Sequence, residues 1–197
     1  MANYLFVPGG KRVKSDWDSV RAILESQGQR TDAITLSDPE RSSLTNHISE
    51  VCSMINKANI KDVMLAGHSY ASFVITGVAN AIPEKIAKLI YIDSTIPENG
   101  KSLFDFFHLA GIDPGKYEVP EWPPFTEHLF FDKSVIKKIP KVYIHCIHSQ
   151  FLEMTRNIPQ YVKEHAEQEN WKYFDLDSDH YCMLKNPREL AEIILHS

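Results

Sequence analysis

The sequence has few cysteines, no long apolar run and no excess of basic residues. Cys52, Cys146 and Cys182 are the only cysteines, and three widely spaced thiols do not suggest a disulfide framework. No apolar stretch reaches the ~18 residues needed to span a bilayer. The first residues, MANYLFVPGGKR, lack the basic region and small-residue cleavage site of a signal peptide. We therefore expect reduced thiols, no membrane span and a cytoplasmic location.

The charge balance disfavours nucleic acid as a partner. The chain has 21 basic and 26 acidic residues, a formal charge of −5, and an acidic surface repels a phosphate backbone. With 43% hydrophobic and 24% charged residues the composition is that of a globular protein and not of a disordered chain. The length of 197 residues predicts a single domain, 1–197, and leaves the oligomeric state open.

Short apolar runs alternate with stretches of helical periodicity. The predicted strands are residues 4–7, 33–36, 62–66, 88–92, 141–147 and 171–176. This alternation predicts an α/β fold with about six mostly parallel strands and helices on both faces of the sheet. Residues 97–140 interrupt the rhythm and are rich in proline and aromatic residues. They are too long for a plain connection and predict a short insertion over one end of the sheet.

The most specific motif is Gly67-His68-Ser69-Tyr70-Ala71, between a predicted strand and a predicted helix. In a nucleophile elbow a tight turn lifts one serine above the sheet, and small residues flank it because strand and helix approach closely. Gly67 is one such residue, and Ala71 stands where glycine is common. We predict Ser69 as the nucleophile. The alternative is an ordinary turn in which Ser69 only caps the helix.

A serine nucleophile needs a base, and His180 is the best placed of the nine histidines. It follows the last predicted strand in the sequence Asp177-Ser178-Asp179-His180. The loop at the carboxyl end of that strand lies at the same edge of a parallel sheet as Ser69. We predict His180 as the base. The alternative is a surface-loop histidine without a catalytic role.

Two segments carry a resemblance to a known family: GHSYASFVITGVANAIPEKIAKLIYIDSTIPENGKSLFD and DSDHYCMLKNPRELAEIIL. They resemble the plant methyl esterase and hydroxynitrile lyase branch of the α/β-hydrolases and its bacterial esterase relatives. The order of Ser69 first and His180 near the C-terminus is also that of α/β-hydrolases. The resemblance implies an α/β-hydrolase fold, Ser69 as nucleophile, His180 as base and a short cap at about 97–140. It also implies a small-molecule ester as partner and no cofactor.

The region after the first strand departs from the family. Pro8-Gly9-Gly10 stands where relatives usually have His-Gly. The expected oxyanion donors, the backbone N–H groups of Gly10 and Tyr70, do not need that histidine. The lyase members carry a threonine one residue after it and a lysine directly after the catalytic histidine. Gly9 and Tyr181 occupy those positions here, which favours ester hydrolysis over cyanohydrin cleavage.

The acid of the triad is the largest departure. Relatives place an aspartate just after the strand at 141–147, and this chain has Ser149 there. A neutral serine cannot stabilise an imidazolium as a carboxylate does. We predict Asp93 as the substitute, because it ends the strand at 88–92 and some lipases with this fold carry their acid at that strand end. Glu153 is a weaker candidate.

The remaining candidates complete the prediction. Asp177 and Asp179 flank His180 but are expected to point along the loop. His145 and His148 lie three apart on a strand and face opposite sides, so no metal site is expected.

Several aromatic residues of 97–140 are expected to face Ser69 and form an apolar pocket. They are Phe104, Phe106, Phe107, Trp122, Phe125, Phe130 and Phe131.

These residues predict a serine hydrolase that cleaves small apolar carboxylic esters through an acyl-enzyme. Two alternatives stay open. One is a hydrolase-fold protein for binding or sensing with weak or no turnover, which the loss of the usual acid and the loss of the family histidine before Gly9 both support. The other is a thioesterase or lyase that uses the same site.

Overall fold

Six parallel strands form a single sheet in the computed structural model, which describes residues 1–197. The strands are β1 (Asn3–Val7), β2 (Arg30–Ala33), β3 (Val63–His68), β4 (Ile86–Ile92), β5 (Lys141–Cys146) and β6 (Trp171–Leu176). Their order in the sheet is β2-β1-β3-β4-β5-β6, and every neighbouring pair is parallel. The predicted six-stranded sheet is therefore confirmed.

Ten α-helices connect or flank the strands. They are α1 (Asp18–Ser26), α2 (Leu44–Lys57), α3 (Ala71–Ala81), α4 (Leu103–Leu109), α5 (Pro123–Thr126), α6 (Lys133–Lys138), α7 (Leu152–Thr155), α8 (Ile158–Glu164), α9 (Cys182–Lys185) and α10 (Pro187–His196). Short 3₁₀ helices span Lys14–Trp17, Pro83–Lys85 and Pro114–Tyr117. None of the helices combines the length and the apolar character that a membrane-spanning helix requires.

Helices cover both faces of the sheet, as the buried strands of a parallel sheet require. On one face Leu65 and Tyr91 pack with the apolar sides of α2 and α3. On the other face Phe6 and Ile90 pack with α1 and α10. All six residues of β5 are buried, so this strand lies inside the molecule and its carboxyl end is held firmly.

The edge strand β2 differs from its prediction. The apolar run at 33–36 suggested the strand, but β2 spans Arg30–Ala33, and only Ala33 is buried. An edge strand pairs on one side only and its other side faces solvent, so polar residues suit it. Ile34 and Leu36 pack against the core just beyond the strand, which explains their apolar character.

Residues 97–140, here termed the cap segment, connect β4 to β5 and contain α4, α5, α6 and a 3₁₀ helix. A reciprocal capping box starts α4: the Ser102 hydroxyl accepts from the N–H of Asp105, and the Asp105 carboxylate accepts from the N–H of Ser102. Residues of α4 and α5 line the cavity that contains Ser69. The division of the chain into one domain with an inserted cap stays a prediction.

Candidate active site

Ser69 lies in the tight turn between β3 and α3. Its backbone φ is 54°, in the left-handed region that residues other than glycine rarely adopt. Gly67 allows the turn, because a Cβ at this position would lie 2.9 Å from the carbonyl oxygen of Ala71 and 2.9 Å from Cγ2 of Ile75. A strained serine between a strand and a helix is the geometry of a nucleophile elbow.

The hydroxyl of Ser69 faces a cavity and does not cap α3. The residue is partly exposed and lines a cavity of about 310 Å³. The N-cap of α3 is Tyr70, and no side chain caps this helix end. The Ser69 hydroxyl has no hydrogen-bond partner in the protein, so it is available to a ligand in the cavity.

Asp93 contacts the imidazole of His180. The Oδ2 atom of Asp93 lies 2.5 Å from Nδ1 of His180, and the two residues are only 1% and 4% exposed. Oδ1 of Asp93 accepts from the backbone N–H of Cys146 over 3.3 Å. Because Nδ1 faces a carboxylate, it carries the proton, and Nε2 is the nitrogen left to act as a base.

The other carboxylates considered from the sequence do not contact His180. Each bonds to another group: Glu153 to Lys116 over 2.8 Å, Asp177 to His148 over 2.9 Å, and Asp179 to the backbone N–H of Tyr181 over 2.8 Å. Asp93 is thus the acid candidate that the structure brings to the imidazole.

Ser149, at the usual position of the acid, has a local structural contact instead. It is 3% exposed, and its Oγ accepts from the backbone N–H of Phe151 over 3.1 Å. The Phe151 ring packs against the His180 ring with 4.4 Å between centroids. The sequence pattern did not point to this contact, although Phe151 lies only two residues after the position where relatives carry the acid.

Ser69 and His180 line the same cavity. No hydrogen bond joins the Ser69 hydroxyl to Nε2 of His180 in the unliganded chain. Catalytic hydrogen bonds are often long or poorly aligned before a substrate binds. The arrangement is therefore compatible with a Ser-His-Asp triad.

Two backbone donors next to Ser69 have no partner within the protein. They are the N–H groups of Gly10 and Tyr70, and both residues line the cavity. A Cβ on Gly10 would come within 2.8 Å of Cζ of Phe125, so the loop passes too close to the cap segment for a side chain. Free N–H groups beside a nucleophile are what an oxyanion hole requires.

A buried histidine supports Tyr70. Nδ1 of His47 lies 3.0 Å from the Tyr70 hydroxyl, and Nε2 lies 3.0 Å from the carbonyl oxygen of Ser37. A carbonyl only accepts, so Nε2–H donates to Ser37 and the Tyr70 hydroxyl donates to Nδ1. Burial lowers the pKa of His47 and raises the pKa of Tyr70 well above its usual value. Both side chains are thus neutral at pH 7, and their contact holds the residue that carries one candidate oxyanion donor.

The wall of the cavity is mixed: one part is aromatic and aliphatic, and the rest is polar or charged. The apolar lining comprises Leu103, Phe107, Tyr117, Val119, Pro120, Phe125, Phe151 and Met154. Lys11, Arg12 and Glu118 also line it. Lys11 stacks its ammonium 4.5 Å from the Trp122 ring, and Arg12 pairs with Asp16 over 2.8 Å.

The seven aromatic residues predicted to form the pocket are divided among several places. Phe107 and Phe125 line the cavity with Ser69, and Phe106 and Phe131 line a second one. Phe130 is 73% exposed and faces away from the site. The pattern of aromatics located the pocket-forming segment, but which rings face the serine depends on how its short helices pack.

The second cavity, of about 560 Å³, lies beside the first. Thr95 and Met154 line both cavities. Phe106, Ile136 and Trp171 contribute to the apolar part of the second cavity. The shared wall places additional apolar volume next to the candidate site.

His145 and His148 do not form a metal site. His145 lies 3.0 Å from the Tyr173 hydroxyl through Nδ1, while His148 pairs with Asp177. No group of three or more histidine, cysteine, aspartate or glutamate side chains is placed to hold a metal ion.

Comparison with solved structures decides the fold. An extracellular α/β-hydrolase from a Paenibacillus species superimposes with a TM-score of 0.78 at 18% identity, covering 100% of this chain and 98% of that chain. The chain has the α/β-hydrolase fold. This confirms the fold that the sequence predicted.

Two curated relatives of this chain are esterases by name. A carbendazim-hydrolyzing esterase from Nocardioides sp. (strain SG-4G) is 36% identical over 111 residues, which cover 52% of this chain and 46% of the relative. A putative chloroplastic methylesterase 11 from Arabidopsis thaliana is 26% identical over 116 residues, which cover 54% and 30%. The chain spans less than half the length of either relative in these matches.

The two relatives confirm the resemblance to plant methylesterases and bacterial esterases that the sequence motifs indicated. No protein-family model matches the chain. Assignments of roles to individual residues in this chain therefore rest on its own geometry.

Proposed function

We propose that the chain is a serine hydrolase that cleaves small apolar carboxylic esters. The observation that carries the proposal is the contact of 2.5 Å between Asp93 and His180, beside a cavity that also contains Ser69. The similarity to two esterases supports an ester as the substrate class. The apolar walls of the cavity support an apolar ester.

The proposed mechanism begins with attack of the Ser69 hydroxyl on the acyl carbon. His180 accepts the serine proton at Nε2, and Asp93 stabilises the resulting imidazolium through Nδ1–H. The N–H groups of Gly10 and Tyr70 donate to the oxyanion. The bond to the alcohol breaks, and the alcohol leaves with the proton from His180.

Water then completes the reaction. His180 accepts a proton from the water, whose oxygen attacks the acyl-enzyme. The bond to Ser69 breaks, the serine regains its proton from His180, and the carboxylic acid leaves. This series of reaction steps needs no cofactor.

The alternative of a binding or sensing protein depended chiefly on the missing acid after β5. The carboxylate of Asp93 on the imidazole removes that support. Thioester hydrolysis and lyase chemistry would use the same serine, and no feature of the cavity favours either over ester hydrolysis. The three cysteines are free thiols. The cytoplasmic location stays a prediction.

A fluorophosphonate probe and an ester panel test the proposal together. We expect the probe to label the wild-type chain and not Ser69→Ala. Ser72→Ala is the matched control, since Ser72 is buried nearby and its hydroxyl has no partner. Among p-nitrophenyl esters we expect acetate and butyrate to be hydrolysed faster than a succinate monoester. Absence of labelling and of turnover in the wild-type chain would reject the proposal.

A further inference from the structure

His68, between the end of β3 and Ser69, is a buried histidine that the proposed mechanism does not use. It is 1% exposed. Its Nε2 lies 2.7 Å from the backbone carbonyl oxygen of His180. The two imidazole rings pack with 4.3 Å between their centroids. One side chain thus touches both the backbone and the ring of the proposed base.

The contact fixes the tautomer of His68. A carbonyl oxygen only accepts, so Nε2 of His68 carries the proton and donates it to His180. Nδ1 has no hydrogen-bond partner. Gly9 closes the space beside it, because a Cβ on Gly9 would come within 2.9 Å of that nitrogen. The ring is therefore held between the loop after β1 and the loop that carries His180.

His68 is also neutral. Burial, followed by the charge on His180, holds the pKa of His68 well below its usual value. The imidazolium that forms on His180 during turnover therefore has no second cation at ring-contact distance. A neutral donor can hold the backbone of the base without opposing its protonation.

The imidazole of His180 is restrained from three directions. Asp93 holds Nδ1, Phe151 packs on the ring, and His68 binds the backbone carbonyl. Only the last contact restrains the backbone. Without it, the buried carbonyl of His180 has no donor within the protein, and the loop loses the side-chain contact that joins it to the end of β3.

We propose that His68 is a positioning residue that holds the loop at 177–181 so that His180 keeps Nδ1 on Asp93 and Nε2 toward Ser69. The inference rests on the proposed function, because it assigns the catalytic base to His180. His68 also lines the cavity. A positioning role predicts an effect mainly on kcat, because the observed hydrogen bond goes to the backbone of the proposed base.

Two substitutions at His68 separate the donor from the ring. His68→Gln places an amide N–H near the position of Nε2 and retains the hydrogen bond. His68→Phe retains the ring volume and removes the donor. We expect His68→Phe to lower kcat for p-nitrophenyl acetate about 10- to 100-fold with little change in KM, because a buried acceptor loses its partner. We expect His68→Gln to stay within about threefold of the wild type.

The matched control is His108→Phe, at an exposed histidine that lines neither cavity. It should leave kcat, KM and the labelling rate unchanged. Thermal unfolding checks that each variant folds, and His68→Met is the second donor-free variant if His68→Phe does not.

A spectroscopic measurement tests the inference without relying on enzymatic turnover. The proton between Nδ1 of His180 and Asp93 should give a far-downfield ¹H NMR signal in the wild type and in His68→Gln. It should be lost or broadened in the donor-free variants. A sharp signal in those variants, an unchanged kcat, or a loss in His68→Gln equal to that in His68→Phe would overturn the inference. Lack of turnover and labelling in the wild type would reject the proposed function, while the NMR comparison would still decide the role of His68.

Discussion

Ser69 donates its backbone N–H to the carbonyl oxygen of Ile92 over 3.0 Å. Ile92 directly precedes Asp93, so this hydrogen bond joins the turn of the candidate nucleophile to the turn of the candidate acid. Both turns have a positive φ, 54° at Ser69 and 41° at Asp93. Strained backbone of this kind persists only where the surrounding structure enforces it, and it is common at functional sites.

Ser69 and His180 should act as one unit. We expect Ser69→Ala and His180→Ala each to lower kcat by about 10⁴-fold or more, and the double variant to lose little further activity. Steady-state kinetics with a short ester measures kcat for all three variants. Losses that multiply in the double variant would show that the two side chains work independently.

Asp93 should be the acid that orients His180. We expect Asp93→Asn to lower kcat about 10⁴-fold, because an amide favours the wrong imidazole tautomer and cannot stabilise the imidazolium. Ser149→Asp alone should give no increase, since the imidazole already has its carboxylate. A silent Asp93→Asn together with a large gain in Ser149→Asp would show that Asp93 is not a working acid and that the wild-type chain lacks one.

The wall shared by the two cavities should control the length of acyl chain accepted. Met154 lines both cavities, so the larger side chain in Met154→Trp should fill the boundary between them. We expect kcat/KM for p-nitrophenyl decanoate to fall about tenfold while that for the acetate changes little. Leu152→Trp is the control, because Leu152 lies on the same helix but lines neither cavity. Equal losses on both esters would contradict a role of the second cavity in holding long acyl chains.

Lys141 should make stability depend on alkaline pH. Its ammonium donates to the carbonyl oxygens of Ile136 and Ile139, both over 2.9 Å, and the residue is 2% exposed. Burial lowers the pKa of Lys141 from 10.5 to about 8. Between these values the unfolded chain binds a proton that the folded chain has released. The contribution of Lys141 to the free energy of unfolding therefore increases as pH rises through this window.

The comparison with Lys141→Met isolates that effect. Between pH ~8 and pH ~10 the wild-type free energy of unfolding should rise relative to the variant by roughly 1–2 kcal/mol. Urea unfolding at the two pH values measures the difference. A constant difference between wild type and variant would show that the lysine keeps its ordinary pKa in the fold.

The sequence predicted the parts of the site that depend on local geometry. Gly67 and Ala71 around Ser69 indicate a turn with no room for larger side chains, and the structure has that turn. The aspartate was harder to choose, because Asp93 and His180 are 87 residues apart and meet only through the strand order. A single sequence carries no direct signal for a contact of that kind.

The contacts of His68 and Phe151 with His180 were missed for a related reason. His68 occupies the variable position of the elbow motif, where the pattern alone assigns no role. Phe151 lies in a loop whose path depends on the Ser149 hydroxyl. The edge strand β2 was predicted at residues 33–36 because apolar residues indicate strands that are buried. An edge strand is only half buried, so its residues carry less of this signal.

The place of Asp93 at the end of β4 changes which part of the chain is free to vary. With Asp93 as the proposed acid, the loop after β5 need not carry a carboxylate for His180, and its exposed positions include Gln150, Glu153 and Arg156. Phe151 and Met154 from the same loop still face the cavity. Glu153 and Arg156 line the second cavity. Saturation libraries at the three exposed positions can therefore change the surroundings of the cavities in directed evolution without altering Asp93.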